Sequence, residues 1–134
     1  KIWSTDLTTK ESLMTLLGHE APVLTCLYSF DSKVLISADQ SGVIKIWSMP
    51  EGKLLRSYKA HDELIQDVSI AGDNNTIVSA SLDGKVKLWD ITTGENLMTF
   101  DAGVEIWSVD LVSDTSIIII GCADGTVRYL RKQK

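Results

Sequence analysis

Two histidines, His19 and His61, are the only imidazoles in a chain of 134 residues, and they stand 42 residues apart. Imidazole can ligate a metal or move a proton near neutral pH. A zinc centre needs three or four ligands converging on one point. Neither histidine has a cysteine or a second histidine near it, so both are expected to be structural. Cys26 and Cys122 also lack metal-type spacing. Each replaces a small or apolar residue in its surroundings and reads as a buried thiol, a usage that suits a reducing compartment. The aspartates of Asp83-Gly84 and Asp124-Gly125 could suggest calcium, but the spacing of an EF-hand loop is missing. Turn formation accounts for them. No metal and no cofactor is expected.

The interval between the histidines is also the period of the chain. Gly42-Val43-Ile44-Lys45-Ile46-Trp47-Ser48 recurs as Gly84-Lys85-Val86-Lys87-Leu88-Trp89-Asp90, and again as Gly125-Thr126-Val127-Arg128-Tyr129-Leu130-Arg131, at steps of 42 and 41 residues. A worn copy, Lys1-Ile2-Trp3-Ser4, lies 44 residues before the Trp47 segment. A period of ~40–45 residues marks a repetitive β architecture. Each repeat opens on a strand whose first, fourth and sixth positions are mainly apolar: Val23, Cys26, Tyr28; Ile65, Val68, Ile70; Ile106, Val109, Leu111. A turn rich in Asp, Ser and Asn follows, closed by side chains bonding their own backbone. The third such turn is Ser113-Asp114-Thr115. The second strand is a short unbroken apolar run (Val34-Leu35-Ile36, Ile77-Val78, Ile117 to Ile120), expected to be buried on both faces. A tight turn, Ser41-Gly42, Asp83-Gly84 or Asp124-Gly125, leads to the third strand. A fourth strand is expected over 13–17, 53–58 and 96–100. No amphipathic helix is expected.

Composition narrows the function. The chain is 44% hydrophobic and 23% charged, as in ordinary globular proteins. Its longest apolar run, Ile117 to Ile120, is far short of the ~18 residues a membrane-spanning helix needs. The net charge is −5, whereas a nucleic-acid binder needs a positive surface to displace counterions. Arg128, Arg131, Lys132 and Lys134 form a local basic exception, read as a solvated strand edge and tail. The chain has no initiator methionine and is expected to be a piece of a longer polypeptide.

The pattern resembles the WD-repeat family of β-propellers across essentially the whole chain. The family's mark is a Gly-His pair some way before a Trp-Asp pair. Here Gly18-His19 precedes Trp47-Ser48, and Ala60-His61 precedes Trp89-Asp90. The third repeat has Asp101-Ala102 and Leu130-Arg131 in those places. The resemblance implies an all-β fold, a partial β-propeller of four-stranded antiparallel blades. Residues 1–17 would end a preceding blade, 18–59 and 60–101 would be full blades, and 102–134 a blade lacking its last strand. It also implies a structural tetrad of His, Ser or Thr, Asp and Trp inside a blade. His61, Ser79, Asp83 and Trp89 supply a full set. The first repeat supplies His19, Ser37 and Trp47 but has Ser41 where the aspartate is expected. The third retains only Asp124, beside Ala102, Ile120 and Leu130, and is expected to hold by apolar packing alone.

Ser, His and Asp are also the members of a hydrolase triad. The indole of Trp89 is expected to occupy the Ser79 hydroxyl, and no nucleophile elbow or other source of oxyanion donors is visible. No catalytic residue and no enzymatic activity is therefore expected. By the same resemblance, the top-face positions where partners dock are Pro22, Leu24 and Gln40 in the first repeat, Leu64, Gln66 and Leu82 in the second, and Glu105 and Trp107, with Ala123, in the third. For Trp107 two readings stay open: a binding hot spot, or packing between adjacent blades. The expected function is a scaffold mediating protein–protein interactions in a multi-subunit complex, in the cytoplasm or nucleus. Its partners would be proteins, with neither nucleic acid nor membrane. The alternative is the substrate-recognition propeller of a ubiquitin ligase reading a short phosphopeptide, which would require arginines on the top face. Rings of this kind need ~4–8 blades, so further blades are expected from the same polypeptide or from another chain.

Overall fold

A computed structural model describes residues 2–5, 8, 12–112 and 117–131. The Ser113-Asp114-Thr115 turn and the tail lysines Lys132 and Lys134 lie outside these residues. Thirteen strands follow one another among the described residues, with no helix. β1 (Ile2–Thr5) pairs with β2 (Ser12–Leu16). β3 (Val23–Tyr28), β4 (Val34–Asp39), β5 (Val43–Ser48) and β6 (Lys53–Lys59) form an antiparallel meander. β7 (Ile65–Ile70), β8 (Thr76–Ser81), β9 (Lys85–Asp90) and β10 (Asn96–Asp101) repeat it. β11 (Ile106–Val112), β12 (Ile117–Cys122) and β13 (Val127–Arg131) form a three-stranded sheet in the same order.

The sheets stack face to face, and the repeated apolar triplets are the glue. Ile65, Val68 and Ile70 of β7 pack on Ile36, Ala38, Ile44 and Ile46 of the sheet before. Ile106, Val109 and Leu111 of β11 pack likewise on Val78, Ala80, Val86 and Leu88. One polar bridge crosses each of two sites at this second junction. Asp67 Oδ2 accepts from the Val109 amide at 3.1 Å, and the Ser69 hydroxyl donates to Asp110 at 3.1 Å. At the first junction Tyr58 lies against Trp89, ring centroids 4.8 Å apart.

Tight turns lock each sheet to the next. Gly42 sits at φ +86°, and its carbonyl accepts from the amides of Ala60 and His61 at 2.8 and 3.1 Å. A Cβ there would lie 2.0 Å from the His61 carbonyl oxygen, so only glycine fits. Gly84 accepts in the same way from Ala102, at 2.8 Å.

Two burial expectations are corrected. Cys122 is buried, but Cys26 is exposed. Val23, Cys26 and Tyr28 hold the positions of the two buried triplets, yet they face the β1–β2 pair, which covers them only in part. An apolar cleft of about 150 Å³ remains there, bounded by Cys26 and Tyr28 on one side and Ile2, Met14 and Leu16 on the other. The second strands differ as well. β4 and β8 are buried along both faces from their second residue on, whereas in β12 Ile119 is exposed. Its face, continued by Val127 and Tyr129 on β13, has no sheet stacked on it among the described residues.

Candidate functional site

The second repeat assembles its four polar side chains into one chain of hydrogen bonds. Ser79 lies on β8 and Trp89 on β9, so pairing of these strands brings indole to hydroxyl: Trp89 Nε1 donates to Ser79 Oγ at 3.0 Å. His61, on the loop entering β7, places Nε2 2.7 Å from Ser79 Oγ and Nδ1 2.9 Å from Asp83 Oδ2. Asp83 also accepts from the Lys85 amide at 2.8 Å, which fixes the turn. The polarity follows from chemistry. An indole can only donate and a carboxylate only accept. Ser79 therefore donates to His61 Nε2, and His61 Nδ1–H donates to Asp83.

The first repeat does the same with a different carboxylate, which corrects the expectation that Ser41 leaves its set incomplete. His19 Nε2 lies 2.7 Å from Ser37 Oγ, and Trp47 Nε1 donates to Ser37 at 2.9 Å. His19 Nδ1 meets Asp39 Oδ2 at 2.7 Å. Asp39 stands two residues before Ser41, on the same side of β4 as Ser37. Its other oxygen accepts from the Ser41 amide (2.9 Å), the Ser41 hydroxyl (2.7 Å) and the Val43 amide (3.1 Å). The two repeats thus exchange partners: Asp39 with Ser41, against Ser81 with Asp83. In the second, Ser81 accepts from the Asp83 amide at 3.1 Å and donates to the Leu64 carbonyl at 2.8 Å. The overlooked signal was parity. Ser37 and Asp39 alternate onto one face, whatever the alignment to the turn.

Burial pushes both histidines below the usual imidazole value, against the opposing pull of Asp39 on His19 and of Asp83 on His61. Both are therefore neutral at pH 7, as the donor chain requires. Burial alone would raise Asp39 and Asp83. Hydrogen bonds outweigh it: from Ser41, His19 and the Val43 amide for Asp39, and from His61, through charge and hydrogen bond, and the Lys85 amide for Asp83. Ser79 is fully buried and its oxygen already accepts from the indole N–H, so it has no room for an acyl group.

The third repeat has no such chain, but apolar packing is not its only support. Ile120 is fully buried and Leu130 packs in the same cluster. Arg128, in the place of Lys87, donates to the Ala102 carbonyl at 2.8 Å and to Asp124 at 3.1 Å. Lys87 makes the matching bond to the Ala60 carbonyl at 2.7 Å. Asp124 also accepts from the amide and hydroxyl of Thr126. Arg128, expected on a solvated strand edge, is instead half-buried and bonded at both ends, and Asp39 is the residue that sequence reasoning missed. Among the described residues no group of acidic, Cys and His side chains is placed to hold a metal ion.

The expected top-face residues fall into one repeated geometry. Backbone bonds join Pro22 to Gln40 (3.0 Å), Leu64 to Leu82 (3.2 Å) and Glu105 to Ala123 (2.9 Å). Just beyond, each first strand slips register by one residue: between Val23 and Thr25, between Ile65 and Asp67, and between Ile106 and Ser108. The residues set out of pairing are Leu24, Gln66 and Trp107. A bulge re-aims its extra side chain. Trp107 is 52% exposed and Leu24 42%, while Gln66, Leu64 and Leu82 are half-buried. Pro22, Gln40, Glu105 and Ala123 are exposed.

Sequential four-stranded meanders, stacked by their inner strands and pinned by Trp–Ser–His–Asp chains, define a segment of a WD-repeat β-propeller. A family model described as "Vps42 beta-propeller" matches residues 12–133, and the chain belongs to that β-propeller family. Relatives align over shorter stretches. The COMPASS component SWD3 of Saccharomyces cerevisiae is 31% identical over 58 residues, 43% of this chain and 18% of that protein. The WD repeat, SAM and U-box domain-containing protein 1 of Danio rerio is 34% identical over 67 residues, 46% of this chain and 14% of that protein. The U4/U6 small nuclear ribonucleoprotein Prp4 of Homo sapiens is 37% identical over 46 residues, 34% of this chain and 9% of that protein. The chain thus spans less than a fifth of these relatives. The crystal structure of the Cps50 (Swd1) β-propeller domain of Myceliophthora thermophila superposes with a TM-score of 0.81 at 15% identity, covering 87% of this chain and 37% of that one. This last likeness concerns the fold alone.

Proposed function

We propose that this segment is part of a non-catalytic scaffold that docks protein partners on the face carrying Leu24, Gln66 and Trp107. The observation that supports it most is the recurring bulge, which sets one side chain per repeat out of pairing beside a hydrogen-bonded loop pair and leaves Leu24 and Trp107 exposed. In the first two repeats the polar chains tie the loop histidine to the inner strands, and rigid presentation lowers the cost of binding. The names of relatives, a COMPASS component and a small nuclear ribonucleoprotein, fit membership of a multi-subunit assembly and a place inside the cell, the nucleus included. The phosphopeptide-reading alternative has little behind it here. Arg128 is engaged by Asp124 and Ala102, and no arginine stands in the loops of this face.

The test is to replace Trp107 and Leu24 with Ala in the full protein and quantify its stoichiometric co-purifying partners. A control variant replaces Leu97, an exposed residue of β10. Loss of a partner in the first variant, at unchanged melting temperature and with the control intact, is expected. Equal loss in both, or in neither, would sink the reading.

A further inference from the structure

The docking face has a cleft where the second and third repeats meet. It holds about 340 Å³ and is lined by Leu82, Asp83, Gly84, Gly103, Val104 and Glu105. Leu82 and Val104 are apolar and half-buried. Trp107, half-exposed on its bulge, follows Glu105 by two residues. The lining is mixed, with Asp83, Glu105 and glycine backbone beside the two apolar side chains, and suits a long side chain that ends in a polar group. The charges say which kind. Asp83 is already engaged by His61 and backbone amides. The Glu105 carboxylate is exposed and makes no ion pair among the described residues.

The surroundings repeat the sign. Segments 18–22, 40–42, 60–64, 82–84, 101–107 and 123–126 contain no lysine or arginine. Exposed Glu20, Asp62, Glu63 and Asp101 stand on the same loops. On the strands below, Lys87 and Arg128 are bound to the carbonyls of Ala60 and Ala102, while Lys85 stands opposite Asp101 and Lys45 lines a pocket with Glu20. The loops themselves remain net negative, which disfavours a phosphate or carboxylate here.

We propose that this cleft takes a lysine or arginine side chain from an extended segment of a protein partner. The aliphatic stem packs between Leu82 and Val104, the cationic head faces Glu105, and the indole of Trp107 offers its face to the charge. The proposal rests on the docking reading above and narrows it to a basic ligand.

The test uses the full protein and fluorescent nonapeptide libraries, degenerate except at the centre. That position is fixed as arginine, lysine, norleucine, glutamate or phosphoserine. The arginine and lysine libraries are expected to bind about tenfold more tightly than norleucine, equivalent to about 1.4 kcal/mol. The advantage should shrink at 0.5 M salt and vanish in Glu105→Gln, while Trp107→Ala weakens every library. Both positions are exposed, so unchanged melting temperatures are expected and serve as the control. If Trp107→Ala weakens binding but the central charge is irrelevant, the docking reading stands and the cationic ligand falls. Preference for phosphoserine or glutamate overturns it too. If neither substitution alters any library, or none binds, both readings fall.

Discussion

Asp39, rather than the residue at position 41, supplies the carboxylate that His19 meets, and its removal tests that assignment. In Asp39→Ala the His19 Nδ1–H loses its acceptor inside a site where both side chains are only 2% exposed. A buried donor left unpaired costs about 1–3 kcal/mol. The amides of Ser41 and Val43 lose the same carboxylate. The turn is open to water on the Ser41 side, so that loss is limited to about 1 kcal/mol. The expected total is about 2–4 kcal/mol. Ser41→Ala removes only one hydroxyl bond at an exposed residue and should cost under about 1 kcal/mol. The paired exchange Asp39→Ser with Ser41→Asp copies the Ser81 and Asp83 arrangement of the next repeat. It should regain all but about 1 kcal/mol, since contacting residues couple rather than add. Urea unfolding followed by the tryptophan fluorescence of each variant measures all three. A loss below about 1 kcal/mol in Asp39→Ala, or an equal loss in Ser41→Ala, would refute the assignment of the first repeat's carboxylate.

Three further outcomes are expected. Both histidines have folded-state values below their unfolded value of 6.5, so the unfolded chain binds more protons as pH falls beneath it. Stability is then full above pH 6.5 and declines below it, by at most about 1.4 kcal/mol per pH unit per histidine. The lowered Asp39 and Asp83 add a second decline, below the unfolded carboxylate value of 3.8. Urea midpoints that stay flat or rise between pH 7 and 5.5 would contradict the neutral-imidazole assignment. The Tyr58 hydroxyl is buried with no hydrogen-bond partner among the described residues, and burial raises its pKa. Phe100 pairs with Val86 as Tyr58 pairs with Ile44, so Tyr58→Phe should stabilise by about 1 kcal/mol, and destabilisation in urea would show a partner for the hydroxyl. Gly42 and Gly125 share a positive φ, but among the described residues only Gly42 of the two has backbone within 4 Å of an added Cβ. Gly42→Ala should therefore lower the melting temperature well beyond Gly125→Ala, by at least about 2 kcal/mol in stability, and similar melting curves would count against this junction.

The period, the order of strands and the Trp89, Ser79, His61 and Asp83 set are legible in the amino-acid sequence. These are local or repeated signals: alternation, glycine turns, and a phase shared by three segments. The sequence also placed the top-face residues in a common position through resemblance, without their geometry. What tertiary structure decided concerns distances between elements. Asp39 became the partner of His19 because β4 delivers it to the same face as Ser37, which counting back from the turn glycine cannot reveal. Trp107 turned outward because of a register slip, and a slip is a property of two paired strands rather than of one. Arg128 found a carbonyl 26 residues away in sequence. Cys26 and Ile119 look like core residues in one dimension. They are exposed because burial of a sheet face depends on the neighbouring sheet stacked against it.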